Sequence, residues 1–128
     1  MLDFKGMREE AAQRISELNI NAAGTEVQAG TFSGGNQQRV VIAKWLASRP
    51  EILILNGPSV GVDVKSKSEI HRILRELAQK GLAVIMISDD VGELLSTTNR
   101  ILVMNSGRMI FKGETAGLTA GILNEKIT

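Results

Sequence analysis

The chain has 128 residues, of which 43% are hydrophobic and 23% charged, and its 15 basic residues nearly balance its 14 acidic ones. This composition is that of an ordinary globular protein, and a net charge of +1 is too small to attract nucleic acid, so we expect no nucleic-acid partner. The absence of cysteine excludes disulfides and thiolate metal sites, and the single histidine, His71, supplies too few ligands for a histidine metal site. The apolar runs are too short to cross a bilayer and no signal-peptide pattern is present, so membrane association is expected to require a partner.

The first fifty residues predict two helices joined by a loop. Apolar residues at helical spacing predict an amphipathic helix over residues 7–18. Residues 19–31 contain glycine and asparagine without periodicity, which is typical of a loop. Ser33 is expected to cap the second helix, and Pro50 to end it.

From residue 51 onward, short apolar runs alternate with helical patterns, which indicates an α/β fold with a largely parallel sheet. Strands are predicted at residues 52–55, 82–87, 101–104 and 108–111, the last two as a hairpin. Helices are predicted at residues 66–77, from Asp89 or Asp90 to residue 95, and more weakly at residues 117–128. Ser66 and Glu69 have the spacing of a capping box, so we expect them to begin the first of these helices.

Ser33, Gly34 and Gly35 stand at the predicted start of the second helix. The first-turn N–H groups of a helix lack intrahelical partners and its end carries partial positive charge, so such an end can bind phosphate. Glycine allows a phosphate to approach the backbone, and the Ser33 hydroxyl can donate a further hydrogen bond. The same three residues also fit an ordinary helix cap, and alone they do not decide between the two interpretations.

The wider sequence FSGGNQQR at residues 32–39, followed by VVIAKWLA, closely resembles the signature motif and helix of ATP-binding-cassette (ABC) transporter ATPases, in the form found in bacterial carbohydrate importers. The resemblance continues through most of the chain that follows. It implies a partial P-loop NTPase fold, a mostly parallel sheet with flanking helices and a C-terminal β-hairpin. Residues 1–50 would form a helical subdomain segment, and residues 51–128 the C-terminal part of the ATPase core, from the second of two nucleotide-binding domains.

In such ATPases two nucleotide-binding domains face head to tail, and the signature motif of one completes the ATP site held by the other. The resemblance therefore implies contacts in trans with the ATP phosphates for Ser33, Gly34, Gly35, Asn36 and Gln37. Asp63 aligns with the aspartate of the loop that faces the opposing domain. It also fits a simple acidic residue at a helix entry, and both roles are compatible.

The sequence departs from the family at the positions that carry catalysis. It contains no phosphate-binding loop of the form GxxxxGK(S/T) and no glutamine loop before the signature motif, so we expect the natural polypeptide to extend upstream. Asn56 and Gly57 replace the aspartate that helps hold magnesium and the glutamate that activates water. Ser88 stands where the family carries a histidine, although the sugar-importer branch often has serine there. We therefore expect no intact catalytic residue, no metal ligand and weak hydrolysis at this chain's own site.

Three acidic residues near the second strand, Asp89, Asp90 and Glu93, are candidates to replace the lost carboxylates. Helix capping and first-turn charge explain them better, since acids are common in that place. We interpret His71 as a boundary residue of its helix, and Trp45 as a packing residue of the signature helix.

The resemblance implies ATP and Mg²⁺ in the full assembly, with neither bound tightly by this chain alone. It implies a second nucleotide-binding domain, a transmembrane permease and, indirectly, a sugar-binding protein as partners, at the cytoplasmic face of the membrane. Three alternatives are weighed beside this interpretation. The first is a non-catalytic structural or regulatory module of the same fold, and the second is a chromosome-maintenance or repair ATPase, whose coiled coils and basic surface are not visible in this sequence. The third is a standalone binding domain, which would need a complete pocket that these residues do not indicate. The strands read as buried on both faces in a complete domain, and without the N-terminal part of the sheet they keep unpaired edges and apolar surface, so we expect the isolated chain to self-associate.

Overall fold

A computed structural model describes residues 1–127 of the chain. The helices are α1 (Phe4–Glu17), α2 (Gly34–Leu46), α3 (Val64–Gln79), α4 (Val91–Thr97) and α5 (Ala120–Ile127), with a 3₁₀ turn at Ala29–Thr31. The strands are β1 (Ile52–Asn56), β2 (Ala83–Ile87), β3 (Arg100–Asn105) and β4 (Arg108–Glu114). The order of elements confirms the predicted α/β fold.

Two small sheets organise the chain. β1 and β2 run parallel, with α3 as the crossover between them and Ile54 opposite Ile85. β3 and β4 form an antiparallel hairpin closed by Ser106 and Gly107, whose φ angles are 50° and 75°. Positive φ at both central residues matches the right-handed twist of the strands, which is why this Asn-Ser-Gly sequence makes a tight turn.

The hydrophobic core lies between one face of the β1–β2 sheet and the helices α2 and α3. Its buried members are Leu18, Ile20, Ile42, Leu46, Leu53, Leu55, Ile70, Ile73 and Leu74. The opposite face of the sheet is open: Ile52 and Ile54 are 59% and 62% exposed, and Ile85 and Ile87 are 49% and 51% exposed. This open face agrees with the expectation that the chain leaves apolar strand surface uncovered, because α2 and α3 cover only one side of the sheet within residues 1–127.

The start of α3 differs from the sequence prediction. Asp63 is the N-cap, and its carboxylate accepts a hydrogen bond from the Ser66 N–H at 2.9 Å. The predicted Ser66–Glu69 capping box is therefore wrong, since Ser66 is the third residue of the helix. The Glu69 carboxylate instead accepts hydrogen bonds from the guanidinium of Arg72 at 2.6 and 3.0 Å and from Asn19 Nδ2 at 3.1 Å.

The helix α4 begins as predicted. Asp90 is its N-cap, and Oδ1 of Asp90 accepts a hydrogen bond from the Glu93 N–H at 3.0 Å. The Asp90 carboxylate also pairs with Lys67 Nζ on α3 at 2.8 Å, which ties the two helices together. Among the helices of residues 1–127, none combines the length and apolar character needed to cross a membrane.

Candidate functional site

The start of α2 carries the residues predicted to contact ATP. Ser33 occupies the N-cap position, but its hydroxyl makes no capping hydrogen bond with the helix. Ser33 and Gly34 are both exposed. The Ser33 hydroxyl and the backbone of Gly34 are therefore accessible at the positive end of a 13-residue helix, whereas Gly35 and Asn36 are buried. This is the arrangement that suits an anion.

Of the two glycines in the signature segment, residues 32–39, packing requires the absence of a side chain only at Gly35, and a Cβ atom on Gly34 would make an ordinary contact. A Cβ atom on Gly34 would lie 3.4 Å from the carbonyl oxygen of Gly61, and one on Gly35 would overlap the side chain of Ser66. The start of α2 thus lies directly against the loop that follows β1 and against the first turn of α3. Close packing against Ser66 favours a residue without a side chain at position 35, and the approach of a phosphate to the backbone would favour the same.

Asn36 and Gln37 differ in their surroundings. Asn36 is buried, and its Oδ1 accepts a hydrogen bond from the Asn21 N–H at 3.1 Å, which fixes the loop between α1 and α2. Gln37 is exposed, and its Nε2 donates to the Phe32 carbonyl oxygen at 2.9 Å. The structure therefore brings Ser33, Gly34 and Gln37 to one surface, with Asn36 behind it.

The end of β1 carries Asn56 and Gly57, the two positions at which the sequence predicts that catalytic acids are replaced. Asn56 is exposed and shares the open face of β1 with Ile54. Gly57 has a φ of 58°, a left-handed conformation that side chains disfavour, and its N–H donates to the Ile87 carbonyl oxygen at 2.8 Å. A Cβ atom on Gly57 would lie 2.9 Å from Val60 Cγ2. The backbone conformation at position 57 thus favours glycine, and glycine offers no carboxylate.

Asp63 lies at the end of the same loop and is exposed. Hydrogen bonds from the side chain and then the backbone of Ser66 lower the pKa of Asp63 below its ordinary value of 3.8. Its role as a helix-entry acid is therefore confirmed, and its carboxylate lies at the surface, while its contact with an opposing domain stays a prediction.

The carboxylate of Glu93 lies behind this loop, and its burial was not predicted from the sequence. The Glu93 side chain is only 2% exposed. Its Oε1 accepts hydrogen bonds from Ser59 Oγ and from His71 Nε2, the latter at 2.6 Å, and its Oε2 accepts from Ser88 Oγ at 2.6 Å. Lys67 Nζ lies 4.0 Å from Oε2. Burial raises the pKa of Glu93, but the three hydrogen bonds and Lys67 together outweigh burial, so the pKa lies below 4.5 and the carboxylate is anionic.

This cluster corrects two sequence interpretations. His71 is 7% exposed and hydrogen-bonded, so it belongs to the interior and is not a boundary residue. Glu93 stands in the first turn of α4 as predicted, yet its side chain points into the protein.

Trp45, interpreted as a packing residue, is 56% exposed, with Lys44 Nζ 5.8 Å from its ring centroid. Within residues 1–127, no three His, Cys, Asp or Glu side chains are close enough together to hold a metal ion.

Comparison with solved structures defines the class of fold. The ATP-binding cassette MJ1267 matches with a TM-score of 0.84 and 23% identity, over 99% of this chain and 50% of that chain. A dimeric cassette, MJ0796 bound to ADP and Pi, matches with a TM-score of 0.76 and 24% identity, over 92% of this chain and 51% of that chain. The chain therefore has part of the P-loop NTPase fold of an ABC ATPase cassette.

Comparison with sequences identifies the family. The family described as ABC transporter matches residues 4–60. The ribose import ATP-binding protein RbsA 1 of Rhizobium meliloti is 46% identical over 110 residues, which are 86% of this chain and 22% of that protein. The galactose/methyl galactoside import ATP-binding protein MglA of Escherichia coli is 41% identical over 128 residues, the whole of this chain and 23% of that protein. The chain is thus homologous to sugar-import ATP-binding proteins, and its first half matches the ABC transporter family. It spans less than a quarter of the length of these relatives.

Proposed function

We propose that this chain supplies the signature segment to an ATP site whose phosphate loop belongs to a second nucleotide-binding domain, in an importer of sugars. The observation that carries the proposal is the outward-facing start of α2, where the Ser33 hydroxyl does not cap its own helix and Gly34 leaves the backbone accessible. A helix end of this kind stabilises phosphate through unpaired N–H groups and partial positive charge. The names of the two relatives, which specify ribose and galactose import, support a sugar as the transported molecule.

In the same proposal, the ATP site on this chain's own β1 is catalytically weak. Asn56 offers a neutral amide in place of a magnesium-binding carboxylate, and Gly57 offers no base. The residues described here do not fit a magnesium site, because no cluster of carboxylates lies near the end of β1 among residues 1–127. Loss of water activation and of charge stabilisation each lowers turnover by about 10²-fold or more.

The proposed assembly contains ATP and Mg²⁺ bound between two nucleotide-binding domains, a transmembrane permease and, more distantly, a sugar-binding protein. The dimeric cassette among the similar structures supports the second nucleotide-binding domain. The assembly would lie at the cytoplasmic face of the membrane, because the relatives are named as ATP-binding components of importers.

The test replaces Ser33 by arginine in the intact protein and measures ATP hydrolysis and sugar uptake. The long cation would obstruct the start of α2, so both activities should fall by at least about tenfold. Ser48→Arg is the matched control, because Ser48 is exposed just beyond the opposite end of α2 and its hydroxyl contacts only the nearby Trp45 carbonyl oxygen. Unchanged hydrolysis and uptake in Ser33→Arg would rule out the proposal.

Asn56 and Gly57 also favour a second candidate, a non-catalytic structural or regulatory module of the same fold. This candidate predicts that Ser33→Arg leaves ATP hydrolysis unchanged while truncation of the segment prevents assembly with the permease. Measuring hydrolysis and co-purification of the permease for the same variants separates the two functions.

A further inference from the structure

Asn56 and Gly57 form a chemically labile pair. No other asparagine of the chain is followed by glycine. The side-chain amide of an asparagine is open to attack by the backbone nitrogen of the next residue, and glycine obstructs this attack least because it has no Cβ atom. Asparagine is accordingly one of the thermolabile residues that proteins of heat-loving organisms use sparingly. The sequence therefore marks position 56 as a candidate for spontaneous covalent change.

The reaction available to this pair is deamidation. The Gly57 nitrogen forms a bond with Cγ of Asn56, and its proton leaves with the side-chain nitrogen as ammonia, so a five-membered succinimide ring results. Water then adds to one of the two ring carbonyls. Cleavage of the bond from nitrogen to Cγ gives aspartate, and cleavage of the bond from nitrogen to the main-chain carbonyl carbon gives isoaspartate. One water is consumed and one ammonia is released, with no oxidant and no cofactor.

The pair lies where water has access and where the sheet ends. Asn56 is the last residue of β1 and is exposed on the open face of the sheet. Its register partner Ile87 is the last residue of β2 and is 51% exposed. The ends of paired strands open locally at a lower free energy than the core does. The hydrogen bond next to Asn56 is therefore among the first of the sheet to break.

The folded sheet nevertheless opposes the reaction. The Gly57 N–H donates to the Ile87 carbonyl oxygen at 2.8 Å, and this nitrogen must give up its proton before it can bond to Cγ. The extended backbone of β1 also directs the Asn56 side chain out of the sheet, away from the nitrogen that follows it. Ring closure therefore requires the end of β1 to separate from β2.

We propose that Asn56 is a deamidation site whose rate is set by release of the Gly57 N–H from Ile87 at the end of the β1–β2 sheet. The inference does not depend on the proposed function, because the reaction needs only these residues and water. Conversion to aspartate introduces a negative charge at the position where the proposed function has a neutral amide. Isoaspartate adds a carbon atom to the main chain, so it disrupts the register of β1 with β2.

The first test concerns the site itself. The intact protein is incubated at mildly alkaline pH in denaturing urea, and mass spectrometry of its peptides measures the acid formed at each asparagine. Asn56 should convert faster than Asn105, an internal control that is followed by Ser106. Gly57→Ala should slow the reaction at Asn56 by about tenfold or more, because a side chain then obstructs the nitrogen. Equal rates at the two asparagines, or no effect of Gly57→Ala, would overturn the assignment. Because the protein is unfolded here, a loss of stability in the variant does not disturb the result.

The second test concerns the hydrogen bond to Ile87. In the folded intact protein, Asn56 should convert at least about tenfold more slowly than in denaturing urea, because the reaction waits for local opening. Urea concentrations below the unfolding transition should accelerate the conversion by the same factor as hydrogen exchange of the Gly57 amide, since both require release from Ile87. A conversion rate that is equal in folded and unfolded protein, or that does not follow exchange at Gly57, would overturn the inference.

Discussion

Gly35 on α2 and Ser66 on α3 are so close that a Cβ atom on the glycine would overlap both the Cβ and the Oγ of the serine. This contact fixes the start of the signature helix against the first turn of α3, which Asp63 caps. Ser33 lies two residues before this contact, so we expect its position at the surface to depend on the contact.

Replacement of Gly35 by alanine should separate the two helices and lower the free energy of unfolding by about 1–3 kcal/mol, the cost of overpacking. Urea denaturation of the two proteins measures the difference. Gly30→Ala is the control, because a Cβ atom there meets nothing within 4 Å. The double variant Gly35→Ala with Ser66→Gly should recover most of the lost stability. If the effects of the two substitutions on the free energy of unfolding simply add, the proposed contact is contradicted.

Replacement of Gly57 by alanine should cost about 1–2 kcal/mol, because the left-handed conformation at φ 58° is unfavourable for a residue with a Cβ atom. Gly61 has a φ of 76° and open space around it, so Gly61→Ala measures the backbone cost alone. If Gly57→Ala loses more stability than Gly61→Ala, the excess should disappear when Val60 is also changed to alanine. Equal stability of wild type and Gly57→Ala in a thermal melt would show that this backbone conformation is not required.

The ion pair of Glu69 should make the chain lose stability in acid. Hydrogen bonds from Arg72 are the largest cause that lowers the pKa of Glu69, from 4.5 to about 2, with Asn19 adding to them. A lowered pKa in the folded state stabilises the protein above pH 4.5, and this stabilisation is lost as the pH falls toward 2. Glu69→Gln should therefore reduce the difference in free energy of unfolding between neutral pH and about pH 2 by about 1 kcal/mol, after allowance for screening by solvent.

The measurement for Glu69 is urea denaturation at a series of pH values from neutral to about pH 2. Glu9→Gln provides the matched control, since Glu9 lies on α1 at 69% exposure and its contact with Lys5 Nζ is 4.0 Å long. An acid transition of the same steepness in Glu69→Gln and wild type would show that the Arg72 pair does not contribute.

The isolated chain should self-associate through the open face of the β1–β2 sheet. Ile54 and Ile85 are register partners at the centre of this face, and both are about half exposed or more. Changing both to threonine keeps the preference for strand conformation and reduces the apolar area, so sedimentation should show less dimer than for wild type. Leu102→Thr, at a residue 53% exposed on β3, tests whether any loss of apolar surface has the same effect. A wild-type chain that sediments as a monomer would contradict the prediction.

Much of the fold follows from the sequence because it depends on local periodicity. The strand β1 and the turn at Ser106 and Gly107 match the predictions closely, since apolar runs and turn residues specify them directly. The helix starts moved by two or three residues because the caps are earlier acids: Asp3 begins α1, and its Oδ1 accepts from the Gly6 N–H at 3.0 Å.

The cluster around Glu93 was not predictable in the same way. Its members come from separate elements, and nothing in their spacing indicates that the approach of α3 to α4 removes Glu93 from water. The one available signal was His71, which stands beside Ile70 on the apolar stripe of α3 and therefore needed a polar partner inside the protein. The residues at the start of α2 were found because a contiguous motif carries them, although the buried position of Asn36 was not evident from it.

The left-handed backbone at Gly57 also limits which substitutions this sequence can accept during evolution. A single substitution that returned glutamate to position 57 would place a side chain in a disfavoured conformation next to Val60, and the chain would lose stability before it regained a base. A gain of aspartate at position 56 alone would restore a carboxylate without the residue that activates water. Under the proposed function, recovery of turnover at this site would require at least two coordinated changes together with a rearranged loop. Selection would then meet a barrier in that direction, so the proposed division of labour between two ATP sites would persist in descendants of this chain.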